Sequence, residues 1–132
     1  MNVLNKIIRH KKNEISNLKL NYTTSQLESS LFFDRETISL KSKLKSSSSG
    51  IIAEHKRKSP SKDIINNKLK IQEVIRGYQD AGVCGVSVLT DVDFFGGTND
   101  DLKIAREIFE GPILRKDFIL DEWQIYESYF FG

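Results

Sequence analysis

Apolar residues recur at helical spacing at the start of the chain, where Val3, Leu4, Ile7, Ile8, Ile15 and Leu18 alternate with Lys6, Lys11, Lys12 and Glu14. The spacing predicts an amphipathic helix over about residues 2–19, with the lysines on its solvent side. Thr23-Thr24-Ser25 can cap a short helix carrying Leu27, and a further helical stretch over about 38–44 runs into the polar segment Ser46 to Gly50. Residues 1–50 therefore read as a helical extension, with the serine run as a tight connection because an apolar strand follows at once. From Ile51 the period changes. IIAEHKR, VCGVSVLT and PILRKD are short apolar runs, and helical patterns over 68–81, 100–110 and 121–131 follow them in turn. Strand and helix alternate three times, the signature of βα units around a parallel sheet.

The helix ends fit this division. Gly82 follows the helix carrying Val74, Ile75 and Tyr78, and Gly111-Pro112 closes the next, where a left-handed cap and a helix-stopping proline belong. Asn99 precedes Asp100-Asp101, offering a cap and acidic residues at the positive end of that helix. Val83, Val86, Val88, Leu89, Ile113 and Leu114 form runs continuous enough for strands buried on both faces.

Composition narrows the class of protein. The chain has 132 residues, 39% of them apolar and 29% charged, the balance of a soluble globular domain. Twenty Lys and Arg against eighteen Asp and Glu leave a net charge of +2, too near neutrality to argue for nucleic acid. The single cysteine, Cys84, excludes an internal disulfide and points to a reducing, cytoplasmic setting in which it packs as a small apolar group. The N-terminal segment is interrupted by Asn5, Lys6, Arg9 and His10, so it holds no continuous apolar core of a signal peptide. No run reaches the roughly 18 to 20 apolar residues of a membrane span.

Candidate chemistry lies in IIAEHKRKSPSK, beginning at Ile51. Side chains alternate across a strand, so Ile52, Glu54 and Lys56 share one face while Ile51, Ala53, His55 and Arg57 share the other. The same rule places Leu114 with Lys116, and Ile113 with Arg115 and Asp117. Lys56 and Lys116 both fall at the C-terminal ends of their strands, where ligands bind in parallel α/β folds. From the pattern alone two readings stand: a solvated ion pair worth about 1 kcal/mol or less, or two lysines and a glutamate meeting at one mouth. A basic nucleic-acid patch fits HKRKSPSK less well, because the cluster continues an apolar strand in a nearly neutral chain. Ser59-Pro60 needs no more than a turn. His55 is expected to pack, Trp123 to pack from the third of these helices, and His10 to have no role.

Ile51-Ile52-Ala53-Glu54, Lys56-Arg57 and Ser59-Pro60-Ser61 resemble the first-strand motif of the indole-3-glycerol phosphate synthases, (β/α)8-barrel enzymes of tryptophan biosynthesis. Ser87-Val88-Leu89-Thr90-Asp91 with Phe95 and Gly97 is similar to the second strand and loop of that family, and Pro112 to Ile119 to the third. LNKIIRHKKNEI, Arg35 and Ser39-Leu40 resemble its N-terminal extension, so the likeness covers essentially the whole chain. It implies a partial TIM barrel, with residues 1–50 as the extension and 51–132 as the first three βα units. It also implies a reaction: a phosphorylated, anthranilate-derived substrate closes a ring with loss of carbon dioxide and water to give indole-3-glycerol phosphate. No metal or organic cofactor is implied. Carried over by motif, Lys116 is the general acid toward the substrate's carbonyl oxygen, Lys56 holds the substrate carboxylate, and Glu54 stands beside it. Ser59, Pro60, Phe95 and Phe118 line the pocket for the aromatic ring. Lys116 has no acidic neighbour on its own strand face, which favours it as the proton donor, because a carboxylate holds an ammonium charged. Asp63 stands where the family commonly has glycine, and His55 where an apolar residue is usual.

A complete barrel needs about 250 residues. The expectation is therefore a chain that stops before the fourth strand, without the glutamate that serves the family as general base and without the phosphate-binding loops after strands 7 and 8. Catalysis by these residues alone is not expected. Two unpaired sheet edges and an apolar inner face favour pairing with another copy.

Overall fold

The computed structural model describes residues 2–132. Six helices and three strands follow in the order α1 (Val3–Asn21), α2 (Thr24–Glu28), α3 (Leu40–Ser46), β1 (Ile52–His55), α4 (Ile71–Asp80), β2 (Gly85–Leu89), α5 (Asn99–Ile108), β3 (Ile113–Lys116) and α6 (Trp123–Phe131). They gather into two compact units, one holding the residues up to Arg35 together with Phe118–Gly132, the other Glu36–Asp117.

The first unit is helical. Asn2 caps α1 by accepting from the Asn5 N–H at 2.8 Å, and Thr23 opens α2 with a capping box in which Gln26 answers the Thr23 N–H. Ile15, Leu27 and Trp123 form its buried centre, with Leu18, Tyr126 and Phe130 packed around them. Trp123, a packing residue as expected, also donates its indole N–H to the Tyr22 carbonyl at 2.9 Å. One expectation is corrected: Lys11 is buried and not solvated. It lies four residues from both Ile7 and Ile15, on the stripe the helix buries, and pairs with Glu14 at 2.5 Å.

The second unit is a parallel sheet of order β1-β2-β3. Ile71 and Ile75 of α4 and Ala105 of α5 cover one side of it, packing with Val86, Val88 and Phe109. β2 is buried throughout, but Ile52 and Leu114 on the flanking strands remain 39% and 41% exposed. Burial on both faces is thus confined to the middle strand, because the side opposite α4 and α5 carries no helical layer in this unit. At the N-terminal end of the sheet α3 approaches β2, and Leu40 fills the space that a side chain at Gly85 would need, 2.6 Å from an ideal Cβ.

Helix termini follow the expected chemistry with two changes. Gly82 is left-handed after α4, at φ +74°. The cap of α5 is Thr98 and not Asn99: its hydroxyl accepts from the Asp101 N–H at 3.1 Å while the Asp101 carboxylate accepts from the Thr98 N–H at 3.1 Å. At the other end Gly111 is not left-handed. Arg106 satisfies the carbonyls there, donating to Phe109 and, at 2.9 Å, to Gly111, and Gly111 is small because a Cβ would lie 2.7 Å from the Phe109 ring.

Candidate active site

Register brings the charged residues together. Glu54 of β1 is level with Ser87 of β2, and Leu89 of β2 with Lys116 of β3, so these side chains point to the side of the sheet away from α4 and α5. The Glu54 carboxylate lies between two ammonium groups, with Lys116 Nζ at 3.3 Å and Lys56 Nζ at 3.5 Å. Ser87, nearly fully buried, donates its hydroxyl to Glu54 Oε2 at 2.9 Å. The backbone beneath is held as well, since the Tyr78 hydroxyl of α4 donates to the Glu54 carbonyl at 2.7 Å.

Burial alone would raise the Glu54 pKa. The hydrogen bonds from Ser87 and Lys116 and the charges of Lys116 and Lys56 outweigh it and hold the carboxyl below its ordinary value. Glu54 is therefore an anchored carboxylate. The geometry corrects one step of the sequence argument. Lys116 lacks an acidic neighbour on its own strand, yet Glu54 reaches it from two strands away and stands closer to it than to Lys56. Contact with a carboxylate does not separate the two lysines.

The flanking loops are compactly built. Ser59 opens a turn in which its N–H donates to the Lys62 carbonyl at 2.8 Å and its hydroxyl accepts from the Lys62 N–H at 3.1 Å, leaving Pro60 exposed at the tip. Arg57, on the opposite face from Glu54, grips both oxygens of Asp101 and donates to the Gly96 carbonyl at 3.2 Å, joining β1 to the loop that carries Phe95. A second brace ties β2 to β3. Thr90 Oγ1 donates to Asp117 at 2.7 Å and accepts from Arg115 at 3.1 Å, and Arg115 reaches Asn99 at 3.2 Å. Phe118 belongs to the other unit, where its carbonyl accepts from the Gln124 amide at 2.9 Å.

Of the residues singled out in the sequence, Glu54, Lys56 and Lys116 converge directly, while Ser59, Pro60 and Phe95 sit on the loops that follow β1 and β2. Ser87 was missed. Its signal was available, as the one hydroxyl between Val86 and Val88, in step with Glu54 once register is known. His55 is buried as expected, but its Nε2 meets no hydrogen-bond partner. Cys84 is buried and donates its thiol to the Ile51 carbonyl at 2.9 Å. Among the described residues no three His, Cys, Asp or Glu side chains are grouped to hold a metal ion, and no helix is long and apolar enough to cross a membrane. A cleft of about 500 Å³ lined by Lys43, Ser47, Val83, Cys84 and Gly111 opens at the N-terminal ends of the strands, away from the charged cluster.

These are the first βα units of a (β/α)8 barrel, with charged side chains at the strand ends where barrel enzymes keep their chemistry. The family model described as indole-3-glycerol phosphate synthase matches residues 4–132. An indole-3-glycerol phosphate synthase of Bacteroides thetaiotaomicron is 41% identical over 130 residues, covering 98% of this chain and 50% of the relative. That of Chloroherpeton thalassium is 41% identical over 136 residues, covering 100% of this chain and 52% of the relative. A third, from Carboxydothermus hydrogenoformans, is 47% identical over 83 residues, 63% of this chain and 31% of the relative. The chain belongs to the indole-3-glycerol phosphate synthase family, and it spans about half the length of the first two of these curated relatives.

Proposed function

We propose that these residues form one wall of the active site that converts 1-(2-carboxyphenylamino)-1-deoxyribulose 5-phosphate to indole-3-glycerol phosphate. The observation that carries this reading is the ionised Glu54 held between Lys56 and Lys116 at the C-terminal ends of parallel strands. Lys116 donates a proton to the substrate's carbonyl oxygen as the carboxylate-bearing ring carbon attacks the carbonyl carbon, so the new carbon–carbon bond leaves a hydroxyl and not an alkoxide. Carbon dioxide then departs and the ring recovers its aromaticity. Loss of the hydroxyl as water, with a proton supplied from the lysine side and the proton of the adjacent carbon taken by the family's general base, completes the indole. Lys56 holds the substrate carboxylate, and Glu54 fixes both ammonium groups. Ser59, Pro60 and Phe95 line the aromatic pocket. The division into an extension of residues 1–50 and barrel units of 51–132 belongs to the same reading, as does a cytoplasmic, metal-free and cofactor-free enzyme with a small phosphorylated substrate and neither nucleic acid nor membrane as partner.

The family's general base and phosphate loops lie in the half that this chain does not span. The 132-residue chain by itself is accordingly proposed to be inactive. The test adds substrate to the chain alone and to the chain supplied with the C-terminal half of the Bacteroides thetaiotaomicron relative, and follows indole fluorescence. Turnover only in the completed protein, abolished by Lys116→Met, is the expected result. A completed, folded protein without turnover would favour a non-catalytic assembly piece or weak binder of anionic ligands. If Lys116→Met left turnover intact while Lys56→Met abolished it, the roles of the two lysines would be exchanged.

A further inference from the structure

Asp91 follows β2 and is only 1% exposed. A buried carboxylate is costly unless hydrogen bonds meet its charge. Here Oδ2 accepts two successive backbone N–H groups, from Phe94 at 2.8 Å and from Phe95 at 3.2 Å. The Asp91 carbonyl accepts from the Gly97 N–H at 2.8 Å, so one residue closes the loop at both its middle and its far end. The loop has little freedom elsewhere. A Cβ at Gly97 would stand 1.9 Å from the Leu89 carbonyl oxygen, and one at Gly96, where φ is +66°, would meet the Lys58 stem at 3.2 Å.

We propose that Asp91 is a positioning residue that holds Phe95 in place as a wall for the aromatic ring of the substrate. This rests on the function proposed above. Asp91 touches no reacting atom and acts through the two N–H groups it receives, so its value lies in an acceptor at that point.

Two measurements test it. In the 132-residue chain, D91A speeds amide exchange at Phe94 and Phe95 by about tenfold or more, while the amides of β2 keep their protection. D91N, which retains an oxygen acceptor, stays within about threefold of the parent. Unchanged exchange in D91A, or equal losses in D91N and D91A, overturns the proposal. Should D91A unfold, D91S, whose hydroxyl accepts one bond, takes its place in the comparison.

In the protein completed by the relative's C-terminal half, D91A raises KM by roughly tenfold with kcat within about threefold. Adding D91A to F95A costs nothing further, since both act on one wall. A full additional loss in the F95A background overturns the proposal while leaving the pocket intact as a reading. An unchanged KM in F95A itself overturns the pocket and the positioning role together.

Discussion

Glu54 and His55 are consecutive, and alternation sends them into opposite environments. Glu54 meets a hydroxyl and two ammonium groups, which hold its pKa below the ordinary carboxyl value of 4.5. Whatever stability this gives is fully present above that value and is lost as pH falls through the lower folded value. Ser87→Ala removes the neutral donor while leaving both lysines, so the Glu54 pKa moves back up, and the acid loss becomes smaller and is complete at a higher pH. A titration of the Glu54 carboxyl carbon by NMR reads this directly, and an unmoved midpoint would show that the lysines alone hold the charge. His55 has the reverse problem. Burial first, then the charge of Arg57, lowers its pKa from 6.5, with Asp101 opposing, and its Nε2 is buried without a partner. The unfolded chain binds the proton more readily than the folded one. Stability is therefore complete above about 6.5 and declines as pH falls from there toward the folded pKa, levelling off below it. His55→Leu should flatten this decline in urea unfolding at pH 7 and pH 5, and an unchanged difference between the two pH values would assign the slope to other groups.

Each strand of the βα pattern was legible as a short apolar run and each helix from the pattern that follows it, because a strand in a covered parallel sheet is apolar along its length and a helix packed on one side must repeat near 3.6. What alternation alone could not give was register. Glu54 and Lys56 lie on one strand and their shared face follows from spacing, but the contact between Glu54 and Lys116 depends on how three strands are aligned. Thr98 and Asn99 are both good caps, and only the return bond from Asp101 selects threonine. Lys11 sat on the buried stripe by position, and its chemical type concealed that. Two glycines show how tightly the sheet is packed, and their substitutions separate backbone from side-chain crowding. Gly97→Ala places a Cβ 1.9 Å from a backbone oxygen that cannot turn aside. It should cost about 2–4 kcal/mol in urea unfolding. Gly85→Val meets the end of the Leu40 side chain, which can move at the expense of its packing. A smaller loss, about 1–2 kcal/mol, is expected there, with faster amide exchange in α3 and little change in β2. Equal losses at the two positions would mean that α3 is as rigidly placed as the strand itself.

At the scale of the molecule the sheet leaves two sides open. Among the described residues no strand pairs with the outer side of β1 or of β3, and Ile52 and Leu114 expose 39% and 41% of their surface on the face that carries the charged cluster. Parallel strands with vacant hydrogen-bonding groups are templates for further pairing, and exposed aliphatic side chains beside them add an area term of about 25 cal/mol per Å² buried. The half-length match to the relatives supplies a reason for the vacancy, since the partners of these edges in a closed barrel come from strands the chain does not span. We therefore expect the chain to self-associate in a concentration-dependent way, with unfolding midpoints that rise with protein concentration. Replacing Ile52 and Leu114 together by lysine places like charges on the inner face of each copy and should shift sedimentation toward the monomer. Adding the complementary half of a relative should do the same by occupying the edges. A monodisperse monomer that melts cooperatively and independently of concentration would mean that three strands with their two covering helices suffice alone, and the edges would then lose their claim as an assembly surface.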